Sequence, residues 1–154
     1  LHQVYDIAHN MGKIETHEIN GKQVKVCVHR KGATRAFGPG SPGLPPEYSK
    51  IGQPVIIPGS MGTRSYVVEG LGNPASYNSA PHGAGRRFSR KEARRRFTMA
   101  DFDRELAGVE VNRSEQFIDE IPSAYKDIDK VMEYAKPLVT VKHTLKQILN
   151  IKGN

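Results

Sequence analysis

The sequence contains no tryptophan and only one cysteine, Cys27, in 154 residues. A lone thiol excludes an internal disulfide framework and any multi-cysteine zinc site built by this chain alone, and it fits a reducing compartment. There is no uninterrupted apolar run of about 18 residues, and no charged amino-terminal stretch leads into an apolar segment with a small-residue cleavage site. Neither a membrane span nor a signal peptide is visible, so the chain reads as soluble and cytoplasmic, with no membrane partner. Hydrophobic residues make up 37% of the chain and aromatic residues 7%, which is low for a compact domain. The length still suffices for one domain with its own core. The shortage of apolar surface, together with Leu1 standing where a Met would open a natural chain, predicts that residues 1–154 are one portion of a longer domain, truncated on the amino-terminal side.

Charge is present in excess and in one place. Lys and Arg number 23 against 16 Asp and Glu, a net charge of +7. Arg86, Arg87, Arg90, Lys91, Arg94, Arg95 and Arg96 stand against Glu92 alone, so one short segment carries most of that excess. Such a cluster fits either a polyanion-binding surface or a solvated helix face.

Val4, Ile7, Ala8, Met11 and Ile14 recur at helical spacing, predicting an amphipathic helix over residues 2–15 with His9 half-buried near the edge of its apolar stripe. Val24, Val26 and Val28 alternate with Lys25, Cys27 and His29 after an Asn20-Gly21 turn, the pattern of a half-buried strand. Cys27 is expected as a small buried side chain. Residues 32–54 are crowded with proline and glycine and show no periodicity, a long loop of the kind that is functional or disordered. Further strands are predicted between Pro54 and Pro58, over 65–68, and as two short pieces within 138–151. Ser89-Arg90-Lys91-Glu92 has the form of a capping box and predicts a helix carrying the arginines. Ser123 is expected to cap another helix, striped by Ile128, Val131, Met132 and Ala135 and stopped by Pro137. Helices and strands mix without regular alternation, so the fold class is α+β with antiparallel strands.

No Walker loop, GxGxxG fingerprint, HExxH, GxSxG or paired-cysteine motif occurs. The chemistry on offer is histidine chemistry. A neutral imidazole nitrogen can attack a phosphoryl group when nearby cations carry the developing charge, and His82, in HGAGR with Arg86 and Arg87 close behind, meets the local part of that requirement. An exposed loop histidine is the competing reading. His9 is likewise open between a core histidine and a ligand.

Six segments occur in one order: DIAHN (6–10), VHRKGATRAF (28–37), PGSMGTRSYV (58–67), HGAGR with FSR following (82–90), PSAYKDID (122–129) and a terminal KG. Together they resemble the carboxy-terminal part of the RtcB family of GTP-dependent RNA ligases. The resemblance implies an α+β RtcB-like fold. It also implies a reaction that joins RNA 2′,3′-cyclic phosphate or 3′-phosphate ends to 5′-hydroxyl ends, using GTP and manganese, with two metal ions, through a histidine-GMP intermediate. It implies that His82 is the guanylylated nucleophile and His9 a manganese ligand. Ser60, Tyr125 and Lys152 match guanine-holding positions, and Gly59, Gly62, Gly83 and Gly85 would let backbone approach GMP. Lys31 and Arg86 match phosphate-holding positions. In that context Arg94, Arg95 and Arg96 become candidates for RNA backbone binding. The implied partners are tRNA halves or other cleaved RNA and an archease-type activator. The family's remaining metal ligands, an Asp and a Cys of a DxxC segment and further histidines, have no counterpart in these residues. Two alternatives stay open: a non-catalytic RNA-binding module on the same fold, and a guanylyltransferase acting on another acceptor.

Overall fold

The computed structural model describes residue 6 and residues 8–152. Asn20 and Gly21, with φ of 51° and 74°, close a tight turn between strands β1 (Asn10–Ile19) and β2 (Lys22–Lys31). The two pair antiparallel without a break, from Ile19 opposite Lys22 to Asn10 opposite Lys31. A two-residue hairpin loop needs positive φ at both positions, which Asn-Gly tolerates best.

This hairpin corrects the helix expected over residues 2–15. From Asn10 onward the chain is strand; residues 1–5 and 7 lie outside the described residues. Ile14, counted there as an apolar-stripe residue, is 71% exposed, while the inward face is Met11, Glu15, His17 and Ile19, a period of two. Pairing with a distant strand has overridden a weak local helical pattern. His9 is correspondingly exposed at the strand entry and not half-buried on a helix. β2 is the half-buried strand expected, but Cys27 is exposed, sharing the outer face with His29.

The hairpin is held by a buried guanidinium. Arg30 is 2% exposed and donates to both Glu15 carboxylate oxygens at 2.7 and 2.9 Å, to the Ser79 hydroxyl at 2.8 Å and to the Tyr77 carbonyl at 2.8 Å. His17 contacts the same carboxylate at 2.9 Å. These bonds connect the hairpin to the segment leading into the sixth strand.

β3 (Ala33–Arg35) follows at once, and buried Gln53 organises the loop that comes next, its backbone N–H donating to the Phe37 carbonyl at 2.8 Å. β4 (Pro54–Ile57) and β5 (Ser65–Gly70) form two neighbours of a three-stranded antiparallel sheet, and β6 (Ser79–Pro81) pairs antiparallel with β3. α1 (Arg90–Arg96) begins where the capping pattern placed it: the Ser89 hydroxyl accepts from the Glu92 N–H, although the Glu92 carboxylate turns to Arg95 and Arg96 instead of completing the box. α2 (Met99–Glu105) carries the reciprocal box between Thr98 and Asp101. β7 (Glu110–Val111) is short. α3 (Ile128–Tyr134) is capped by Asp127 and not by Ser123, whose N–H and hydroxyl both donate to Glu105. β8 (Val139–Leu145) completes the three-stranded sheet in the order β4-β5-β8, and β9 (Leu149–Asn150) pairs parallel with β7.

Two apolar cores result. Val55, Ile57, Tyr66, Val68 and Val139 of the sheet pack against Ile128, Met132 and Ala135, the stripe read from the sequence. Met61, Ala93, Phe102, Leu106, Phe117, Ile121 and Ala124 form a second core under α1 and α2. The fold is mixed α and β, consistent with the expected class, except that β7 and β9 pair parallel where antiparallel strands were expected. No described helix is long and apolar enough to cross a membrane.

Glu15→Gln leaves Arg30 buried against half its acceptor and is expected to cost about 3 kcal/mol, read as a lower urea midpoint. Burial raises the Glu15 pKa, but hydrogen bonds from Arg30 and His17 outweigh it and hold the carboxyl below its ordinary range. A carboxyl lowered by folding stabilises the native state above its unfolded pKa and loses that contribution as pH falls through the folded value. Stability measured from pH 6 down to pH 3 should therefore fall less steeply in Glu15→Gln than in the parent.

Candidate functional site

β1 opens at Asn10 opposite Lys31, and β3 pairs with β6 so that Ala33 faces Pro81. Gly32, the residue between β2 and β3, is thus flanked by His9 on one side and His82 on the other. The His9 and His82 rings stack, with centroids 4.7 Å apart and planes 11° from parallel. A Cβ on Gly32 would lie 3.8 Å from both Cδ2 and Nε2 of His82, and the His82 N–H points at the Gly32 carbonyl. Burial pushes the His82 pKa down, and the neighbouring His9 pushes it the same way. An imidazole held in its neutral form keeps a lone pair available for attack. Lys31, exposed beside Gly32, has no ion-pair partner among the described residues.

The histidine loop is clamped on both sides. The Ala84 N–H donates to the Pro58 carbonyl at 3.1 Å, and a Cβ on Gly83 would meet that same oxygen at 3.1 Å. On the other side the Gly85 carbonyl, in a residue with φ of 71°, accepts from the Lys126 N–H at 2.9 Å. Beyond Pro58 opens a cavity of about 270 Å³ lined by, among others, Gly59, Ser60, Glu120, Tyr125, Asn150 and Lys152. Ser60, Tyr125 and Lys152, from three distant stretches of sequence, therefore line one cavity, joined to the histidine loop through Pro58. Gly59 is packed so tightly on Thr63 and the Arg64 carbonyl that no side chain fits, and Gly62 combines φ of 76° with contact to Leu106, so both are needed by the turn itself.

Two carboxylates absent from the sequence-based candidates organise this region. Asp119, with no exposed surface, receives Arg90 at 3.2 Å and Arg94 at 3.0 Å, with Arg86 at 3.9 Å. Glu120 receives Arg86 at 3.3 Å, Arg90 at 3.0 Å, Lys152 at 3.2 Å and the Tyr125 hydroxyl at 2.5 Å. Arg86 also donates to the Asp119 carbonyl at 2.6 Å and lies over the Tyr125 ring, 5.0 Å from its centroid. Burial raises the Glu120 pKa, but its hydrogen bonds to Tyr125 and Lys152 and the surrounding cations leave it below the ordinary carboxylate range. The signal was present in the sequence as DE immediately before IPSAYKDID, opposite in charge to the arginine run.

The basic cluster is thus largely matched within the fold. Arg86, Arg90 and Arg94 face Asp119 or Glu120, and Arg95 and Arg96 face Glu92. Arg87 and Lys91 are exposed and make no ion pair among the described residues.

Manganese binding demands several converging donors. Among the described residues no three His, Cys, Asp or Glu side chains come together. His9 sits beside His82, but these residues do not complete a metal site.

An α+β domain built around a histidine loop and a polar cavity is thus the class that fold and site define. Residues 1–153 match the family described as tRNA-splicing ligase RtcB. The chain is 49% identical to the tRNA-splicing ligase RtcB of Aeropyrum pernix over 140 residues, 88% of this chain and 29% of that protein. It is 48% identical over 146 residues to the corresponding protein of Nanoarchaeum equitans, covering 90% of this chain and 30% of the relative. With the RNA-splicing ligase RtcB of Mycobacterium tuberculosis the figures are 49% over 138 residues, 86% and 32%. The chain belongs to the RtcB family, and it spans about three tenths of the length of these relatives.

Asp119→Ala would leave three guanidinium groups around a buried site without their common acceptor. Arg90 and Arg94 are more than half exposed and Arg86 keeps Glu120, so water and Glu120 replace part of what is lost and the cost is expected to be about 1–3 kcal/mol, read as a depressed thermal midpoint. An unchanged midpoint would show that Asp119 does not hold α1 in place.

Proposed function

We propose that the intact protein is a GTP-dependent RNA ligase of the RtcB type and that this chain carries its nucleotidyl-transfer histidine. The observation that supports this best is His82, biased to the neutral imidazole, in a loop whose next two residues pack on Pro58, a wall of the cavity that gathers Ser60, Tyr125 and Lys152. In this reading an His82 nitrogen attacks the α-phosphorus of GTP; the N–P bond forms as the bond to pyrophosphate breaks. GMP then passes to the 3′-phosphate of an RNA end, and the 5′-hydroxyl of a second end displaces it. Ser60, Tyr125 and Lys152 hold the base, and Lys31 lies on the phosphate side of His82. The manganese ions implied by the family would need ligands beyond the described residues, with His9 as this chain's contribution. The RNA substrates would be tRNA halves or other cleaved RNA, with an archease-type activator as a further partner.

The test is incubation of the intact protein with manganese and α-labelled GTP. An acid-labile label on the parent and none on His82→Asn is expected; equal labelling of the two would overturn the assignment of His82. No labelling of either would favour the non-catalytic RNA-binding module. Adding RNA with cyclic-phosphate and hydroxyl ends then separates a ligase from a guanylyltransferase with another acceptor.

RNA contact is assigned first to Lys31, Arg87 and Lys91. Arg86, Arg94, Arg95 and Arg96 would each have to exchange a carboxylate for a phosphate. Each phosphate contact on a single strand contributes about 0.7 to the slope of log affinity against log salt. Alanine at Lys31, Arg87 and Lys91 together should flatten that slope more than alanine at Arg94, Arg95 and Arg96. The reverse order would reassign the RNA surface to α1.

A further inference from the structure

We infer that Glu120 is a positioning residue for nucleotide selection: its carboxylate fixes the Tyr125 hydroxyl and the Lys152 ammonium in the cavity that the histidine loop adjoins through Pro58. The inference rests on the reading of that cavity as the guanine site. A carboxylate has roughly four acceptor positions. Four donors surround Glu120: Oε1 faces Arg86 and Arg90, and Oε2 faces the Tyr125 hydroxyl and Lys152. With all of its acceptor positions engaged by the protein, Glu120 has none left for a base. Its action runs through the groups it holds.

What it holds is what a purine would meet. An ammonium has three donors, and Glu120 occupies one, leaving Lys152 able to donate to a ligand in the cavity. Guanine presents two adjacent acceptors, O6 and N7, to such a cation, whereas adenine presents a donor in place of O6. Lys152 lies near the end of a stretch that follows the short strand β9, and Glu120 is its ion-pair partner. Without that anchor the lysine chain samples many rotamers, and ordering it on binding costs free energy. Tyr125 is fixed from two directions, its hydroxyl by Glu120 and its ring beneath Arg86. Glu120 is in turn fixed by Arg90 of α1, whose guanidinium also reaches Asp119. The basic helix and the cavity are therefore joined through one carboxylate.

The experiment measures His82 labelling by GTP in the intact protein as a function of GTP concentration, with ATP as competitor. Glu120→Asp keeps the charge facing the arginines but withdraws the oxygen from Tyr125 and Lys152 by one methylene. It should raise the half-saturating GTP concentration about tenfold, leave the rate at saturation within about threefold, and weaken the preference for GTP over ATP. Glu120→Gln should act in the same direction. Adding Glu120→Asp to a variant that already carries Lys152→Ala and Tyr125→Phe should be little worse than that variant alone, because the two groups Glu120 holds are already gone. If Lys152→Ala and Tyr125→Phe leave GTP saturation unchanged, the guanine reading of the cavity fails. If those two variants weaken GTP and Glu120→Asp does not, or if adding Glu120→Asp to the combined Lys152→Ala, Tyr125→Phe variant multiplies the loss, the positioning role fails while the guanine reading stands. Loss of saturation rate with unaltered GTP concentration dependence and unaltered ATP discrimination would make Glu120 a structural carboxylate only. Thermal midpoints of all variants, compared with the parent, separate these outcomes from unfolding.

Discussion

Two adjacent carboxylates set the geometry of the site. Asp119 and Glu120 are buried, and a buried carboxylate is tolerable only when cations and hydrogen-bond donors replace the water it has lost. Those donors come from the HGAGR loop, from α1, from the segment before α3 and from Lys152, two residues past β9. The requirement to neutralise two charges thus brings four stretches of chain to one place. It also decides which arginines are committed to the fold and which cations remain exposed beside the histidine.

A second buried charge plays the corresponding part at the other end of the site. Arg30 cannot leave the interior without abandoning Glu15, Ser79 and the Tyr77 carbonyl. It therefore fastens the β1–β2 hairpin to the stretch that enters β6. Because β1 starts beside His9 and β6 ends just before His82, this fastening is what stacks the two imidazoles across Gly32. The stack and the burial together favour the neutral form of His82. The imidazole proposed as the nucleophile is thus set by the docking of a hairpin.

The features legible in the sequence are those whose cause is local. Asn20-Gly21 specifies its hairpin because few other pairs accept positive φ twice. Ser89 caps α1 because a hydroxyl one residue ahead of a helix meets an orphan N–H. Ile128, Met132 and Ala135 face the core because their spacing leaves no other shared face. The helical pattern of residues 2–15 gives way to strand from Asn10 onward because Met11 and Ile14 fit a helical spacing as well as they fit any other, and the partner that selects the strand lies ten or more residues further on. In β2 the valine alternation itself selects the inward face, with Arg30 continuing it, and this puts Cys27 on the opposite face, where it is exposed and not the small buried side chain expected. Ser123 lost the capping role to Asp127 because Glu105 of α2, remote in sequence, accepts its hydroxyl.

Histidine 82, its glycines and the motifs that mark the RtcB family are properties of residue order, and the sequence by itself determined them, as it determined a strongly basic segment behind that histidine. The tertiary structure alone decided what those charges do. Ionic and hydrogen-bonding partners are chosen by distance in space, and a linear sequence carries no record of it. Most of the arginines read as free cations in the sequence and are matched in the fold, whereas Glu120, an acid that no motif singles out and that ends a short 3-10 helix (Glu115–Glu120), is the group on which Arg86, Arg90, Tyr125 and Lys152 converge.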